Sequence, residues 1–248
     1  MIVASDVITR ASRILADQTN VRWTEVEMID WCKDAVRQIV LARPDAYSIT
    51  RWFNLKAGDS RQVVGNTAAK DNIDFGAANF EPTTRILRVV RNGAAGGYRP
   101  IREASRVALD SELSTWHMPA ANIVGYHVQH YVFDNVAPYV FYVYPAPPTN
   151  TTGFQIEITH SGLPDLSNTG PSINLGLPYQ YIGPLLDWVC YRAFSKDAEY
   201  AGNLDRANHH LGAFATALQI SQQSGYAAAT PQLATPLPAG AGWRRSGG

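Results

Sequence analysis

The sequence predicts an α+β protein: a helical bundle formed by the two ends of the chain, an inserted antiparallel β domain, and an extended C-terminal tail. Three observations predict it. Near both ends apolar residues recur every three or four positions, the period of a helix buried along one side. Between residues 47 and 171 the pattern gives way to short β-branched and aromatic runs bounded by Gly, Pro and Asn, the signature of strands. From Gly225 the chain reads GYAAATPQLATPLPAGAGWRRSGG, with no acid and only Arg244 and Arg245 charged. Such a composition buries too little apolar surface to offset the entropy of ordering it.

The elements follow in order. Val7, Ala11, Ile14 and Leu15 share the spacing of a first helix. A second starts at Thr24, with Glu27 three residues on in the capping-box pattern. Its apolar side is Ile29, Cys32, Val36 and Ile39, and Pro44 stops it. The strands are SITRWFNL, TRILRVVRN, ANIVGYHVQHYVF, PYVFYVYP and FQIEITH. NGAAGG reads as a loose hairpin turn, and SRVALDSEL (105–113) as a short helix among the strands. Helical spacing returns after LGLPYQ. Ile182, Leu185, Leu186, Val189, Ala193 and Phe194 form one apolar face, and Leu204, Ala207, Leu211, Phe214 and Leu218 form another. Neither helix pair has enough apolar face to stand alone, so residues 1–46 and 172–224 are expected to pack together, with 47–171 inserted and 225–248 as a separate tail.

Composition narrows the function. The 248 residues are 46% hydrophobic with a net charge of zero. That suffices for a real core, and neutrality argues against a protein that grips nucleic acid by its phosphates. Cys32 and Cys190 are too few for a disulfide framework and fall in helical segments, so reduced core thiols are expected. MIVASDVITR lacks a basic n-region followed by a long apolar stretch, and no apolar run reaches the length of a membrane span, so synthesis in the cytoplasm and no membrane partner are expected.

No pattern of residues demands catalysis. His127 and His130, three apart in an expected strand, point to opposite faces and cannot chelate together. His209 and His210 are adjacent on a helix, roughly 100° apart, unlike ligands spaced by three or four. The glycines of NGAAGG join strand to strand, whereas a phosphate cradle leads into a helix. Asp187, Asp197 and Glu199 offer the carboxylates of a glycoside hydrolase, although carboxylates scattered on a helix and its end ordinarily form a solvated face. Tyr126, Tyr131, Phe133, Tyr139, Phe141, Tyr142 and Tyr144 crowd the strands, as a sheet core or as a sugar-binding platform.

Two segments carry a family likeness. LLDWVCYRAFSKDAEYAGNLDRANHHLGAFATAL (185–218) resembles the C-terminal helical signature of podovirus head-to-tail adaptors, a family related to the tail tubular protein A of T7-like phages. ASRILADQTNVRWTEVEMIDWCKDAVRQIVLARPDAY (11–47) resembles its N-terminal helix pair. The resemblance implies a virion structural protein at the head–tail junction, made in the host cytoplasm, with no catalytic centre, cofactor or metal. It implies a dodecameric ring that joins the portal protein to the tail nozzle protein and lets genomic DNA pass without sequence-specific binding. It also implies that the C-terminal extension reaches the portal, with Tyr226, Leu233, Leu237, Trp243, Arg244 and Arg245 as the candidate anchors, Trp and Arg being favoured at interfaces. Lys196, Asp197, Glu199 and Tyr200, in the distinctive YRAFSKDAEYAGN run, are the candidate subunit contacts. The alternative from another class is a virion-associated tail protein whose aromatic β region binds or hydrolyses glycans.

Overall fold

A computed structural model of the chain describes residues 1–64, 85–119, 125–133, 136–150 and 153–229, with backbone alone at 201 and 220–229. It is α+β. Helix α1 spans Ala4–Ile14 and α2 spans Glu25–Ala42. The capping box at Thr24 is formed: the Thr24 hydroxyl accepts from the Glu27 amide, and the Glu27 carboxylate accepts from the Thr24 amide. Near the other end, α4 runs Ile182–Lys196 and α5 runs Ala201–Ala229. The four helices share one core around Val7, Ala11, Cys32, Val36, Ile39, Leu185, Val189 and Phe214. Both cysteines are free and buried, and desolvation pushes each thiol up to about 12, so they stay protonated packing groups.

The chain returns from its insertion onto its own start. Residues near Val3 bridge Asn174, with the Ala4 amide donating to Ile173 and the Leu175 amide to Ile2. Those bonds seat Ile2, Ile173, Leu175 and Leu177 in the bundle core.

Between these helices lie strands β1 (Ser48–Asn54), β2 (Arg61–Val63), β3 (Arg85–Asn92), β4 (Arg102–Glu103), β5 (His130–Phe133), β6 (Val140–Tyr144) and β7 (Gln155–Ser161), with the short helix α3 at Arg106–Glu112. They form two sheets, ordered β1-β7-β3 and β2-β6-β5-β4. All pairings are antiparallel except β4 with β5. The sheets face each other across Phe53, Ile86, Val89, Phe141, Val143, Ile156 and Ile158, with Phe53 meeting Phe141 edge to face at 5.7 Å.

Several expectations need correction. Within ANIVGYHVQHYVF, residues 121–124 lie outside the described residues, and among the described ones strand pairing begins at His130; His127 lies in a loop whose Val128 is tied to β3 by the buried Asn92 side chain. Leu204 and Leu211 are exposed, while Ala207, Phe214 and Leu218 are buried. The apolar stripe of α5 is therefore narrower than its sequence, because α5 packs chiefly against one neighbour. Ile14 is likewise half exposed. Helix α5 also continues to Ala229, through the first five residues of the expected tail, since alanine, which fills three of those positions, is the best helix former.

Strand β3 departs most from a regular ladder. Its burial repeats every third residue, because register shifts fall between Ile86 and Arg88 and between Val89 and Arg91. Each bulge adds a residue and re-aims the next side chain. Arg85, Arg88 and Arg91 thus stay exposed together, while Ile86, Val89 and Asn92 point inward.

Candidate interaction surfaces

The α4–α5 junction is held by the loop between α1 and α2. Asp17 folds that loop by accepting the amides of Val21 (3.0 Å), Arg22 (2.8 Å) and Trp23 (3.1 Å). These donors, Trp23 foremost, hold its carboxyl below the usual range. The loop then delivers Trp23 into the core, where its indole N–H donates to the Ala193 carbonyl at 3.2 Å. Arg22 lies over the Trp23 ring and pairs with Asp197, the C-cap of α4. Asp197 also accepts from Asn203 at 2.9 Å, and its pKa is lowered, chiefly by Arg22. Lys196 reaches Glu27 of the capping box and lowers the pKa of that carboxyl.

Of the four residues expected at a subunit contact, Lys196 and Asp197 are therefore engaged within the chain. Glu199 and Tyr200 stand exposed at the turn into α5, Tyr200 at 75%. Beside this junction Ile14, Phe194, Asp205, Arg206, His209 and His210 line an open cleft of about 500 Å³. His210 stacks on Phe194 and bonds Asp187 at 2.9 Å. Asp187 and Asp197 thus hold separate partners and do not converge as a carboxylate pair. Among the described residues, no group of three His, Cys, Asp or Glu is placed to hold a metal.

Among the described residues, the tyrosine-rich strands offer no open platform. Tyr126, Tyr131 and Phe141 are buried; Tyr142 and Tyr144 lie beneath Leu109 and Trp116, contributed by α3 and the turn after it. Of the seven aromatics noted in the sequence, Tyr139 alone is exposed. An exposed aromatic pair sits elsewhere: Trp52 on β1 and Tyr98 after the β3 turn, 6.5 Å apart, with the Arg91 guanidinium over both rings. Neither this pair nor the Asp17 and Arg22 contacts were singled out from sequence. The threefold recurrence of Arg in RILRVVRN was the available sign.

Tyr226 lies within the backbone of α5, and Leu233, Leu237, Trp243, Arg244 and Arg245 lie outside the described residues. No helix among the described residues is long and apolar enough to cross a membrane.

Comparison with known proteins gives a family likeness. The family described as SU10 adaptor protein matches residues 4–236, spanning both helix pairs and the β insertion. No curated protein matches the chain.

Proposed function

We propose, from the premise that this chain belongs to the SU10 adaptor protein family, that it joins the portal to the tail nozzle as a dodecameric ring around the DNA exit channel. Membership across nearly the whole chain is the observation that carries this reading, and it supports a structural role as a phage head-to-tail adaptor in the virion. The kinship with the tail tubular protein A of T7-like phages belongs to the same proposal, as does passage of DNA without sequence-specific binding. On this reading the chain is not an enzyme.

The arrangement of the C-terminal end supports the reading. α4 has 15 residues and α5 has 29, lengths of about 22 and 43 Å. Joined by a short turn and packed together, they leave the end of α5 running beyond α4. That projection carries the start of the tail away from the bundle, where a portal would be reached. A short anchor repeated around a ring gains strength through avidity. Glu199 and Tyr200, exposed and unengaged by the junction's ion pairs, are the proposed lateral contacts.

The test is portal docking by a chain truncated after Ala229, which keeps α5 intact. The truncated protein should lose the portal while keeping its thermal midpoint. Trp243→Ala should weaken docking by on the order of 2 kcal/mol per site. Docking by the truncated chain as tight as by the full chain would sink the tail proposal.

A further inference from the structure

The two outer faces of the sandwich are treated differently. The β2-β6-β5-β4 sheet is covered by Leu109 and Trp116. The β1-β7-β3 sheet presents Arg85, Arg88 and Arg91, paired in register with Ser161, Thr159 and Glu157, and beyond them Thr50 and Trp52. Register partners two residues apart on β7 set these arginines about 6.8 Å apart along the strand. Arg91 is held by Glu157 at 2.7 Å and by the Trp52 and Tyr98 rings. Arg85 and Arg88 have no ion-pair partner among the described residues.

A guard against strand addition does not explain this row. The free edge of β3 is already occupied: the Ile86 amide donates to Pro138, the Asn92 amide to Arg99, and Val90 accepts from Ile101. Nor does local convenience explain Tyr98. It adopts φ +55° directly after Gly97 at +66°, a left-handed backbone that a bulky residue rarely takes. Backbone strain of that kind concentrates where a side chain must be aimed. Here it aims the ring at Arg91. Two bulges and one strained turn therefore converge on a single result, a row of cations on one face ending in an aromatic clamp.

We propose that the outer face of β1-β7-β3 is a contact surface for the phosphate backbone of duplex DNA. Adjacent phosphates along one strand are separated by close to the arginine repeat, so neighbouring arginines can each meet a phosphate. Net neutrality conceals this local excess, and two or three cations make a contact that DNA can leave, not a grip. The proposal rests on the adaptor reading only for the source of the DNA; portal docking by the truncated chain succeeds or fails independently of it.

The test titrates the full-length, isotope-labelled protein with a 20-base-pair duplex in low salt and follows its NMR signals. Shifts should cluster on β1, β3 and β7 and on the Trp52 indole. Neutralising two to three phosphates predicts a log–log salt slope of about −2 to −3, so affinity should fall roughly 12- to 40-fold between 50 and 200 mM salt. Arg85→Ala with Arg88→Ala should leave at most about a 3.5-fold dependence, with Arg88→Lys retaining most binding. No shifts on this face, or an unchanged salt slope in the double variant, overturns the proposal. So does a polyglutamate peptide binding there as tightly as the duplex, which would assign the face to an acidic protein partner.

Discussion

The helical bundle and the β1-β7-β3 sheet spend their charges in opposite ways. In the bundle, Arg22 meets Asp197 and Lys196 meets Glu27 across 175 and 169 residues of sequence. Each pair ties the α1–α2 end to the α4–α5 turn. On the sheet, Arg85 and Arg88 are exposed with no acid paired to them among the described residues, while bulges maintain their alignment. Charge in the first region joins parts of one chain; in the second, Arg85 and Arg88 form no ion pair among the described residues. The second sheet sharpens the contrast, because there the outer face is apolar and covered by the chain itself.

The largest effect should come from the layer both sheets share. Phe141 is wholly buried between them, against Phe53. Phe141→Ala should cost about 3–5 kcal/mol in denaturant unfolding. A loss under about 1 kcal/mol would mean the two sheets do not share a core. The next effect separates the two outer faces. Trp116 is buried and its indole donates to Asp110 at 2.7 Å, whereas Trp52 is 37% exposed. Trp116→Ala should cost about 3 kcal/mol and Trp52→Ala under about 1 kcal/mol. Equal losses would show the Trp52 face to be as covered as the other.

This contrast marks where sequence was informative. The capping box at Thr24 and the buried faces of α2 and α4 could be read because capping and helical period are local properties. The stripe through Leu204 and Leu211 misled for a tertiary reason: which side of α5 is covered depends on how much of its circumference α4 and the N-terminal helices reach. Tyr142 and Tyr144 could be recognised as sheet aromatics, but their cover comes from Leu109 and Trp116, outside the strands. Asn92 resembled a turn residue; its side chain instead satisfies Val128 and Arg99 from a fully buried position. The β3 bulges depend on the register with β7, which no spacing within β3 alone can set.

A smaller effect tests the charges that join the bundle. Asp17, Glu27 and Asp197 all have carboxyl pKa values lowered in the folded chain, by the Trp23 amide, Lys196 and Arg22 respectively. Depressed folded values mean the folded state binds fewer protons than the unfolded one. Their stabilisation is therefore complete above the ordinary values of 3.8 for Asp and 4.5 for Glu, and is lost as pH falls through them toward the folded values. Thermal midpoints should be flat near neutrality and fall below about pH 4.5. Asp17→Asn with Asp197→Asn should lower the neutral midpoint and flatten that acid limb. An unchanged acid limb would remove these two groups from the network that holds the junction.

The smallest expected change in stability falls on Arg88. Its side chain is exposed and unpaired among the described residues, and Thr159 across the register is uncharged. Arg88→Glu should therefore shift unfolding free energy by no more than about 0.5 kcal/mol. The bulge should survive, since Ile86 and Val89 remain the inward anchors that set its phase. If the arginines were instead repelling one another at a cost to the fold, reversing the middle charge would relieve that repulsion on both sides and raise the midpoint measurably. A rise would mean the row is maintained against stability, and a fall beyond about 1 kcal/mol would mean Arg88 has a role inside the chain. A flat result identifies β3 as a strand whose arginines are held in line without contributing to the fold that holds them.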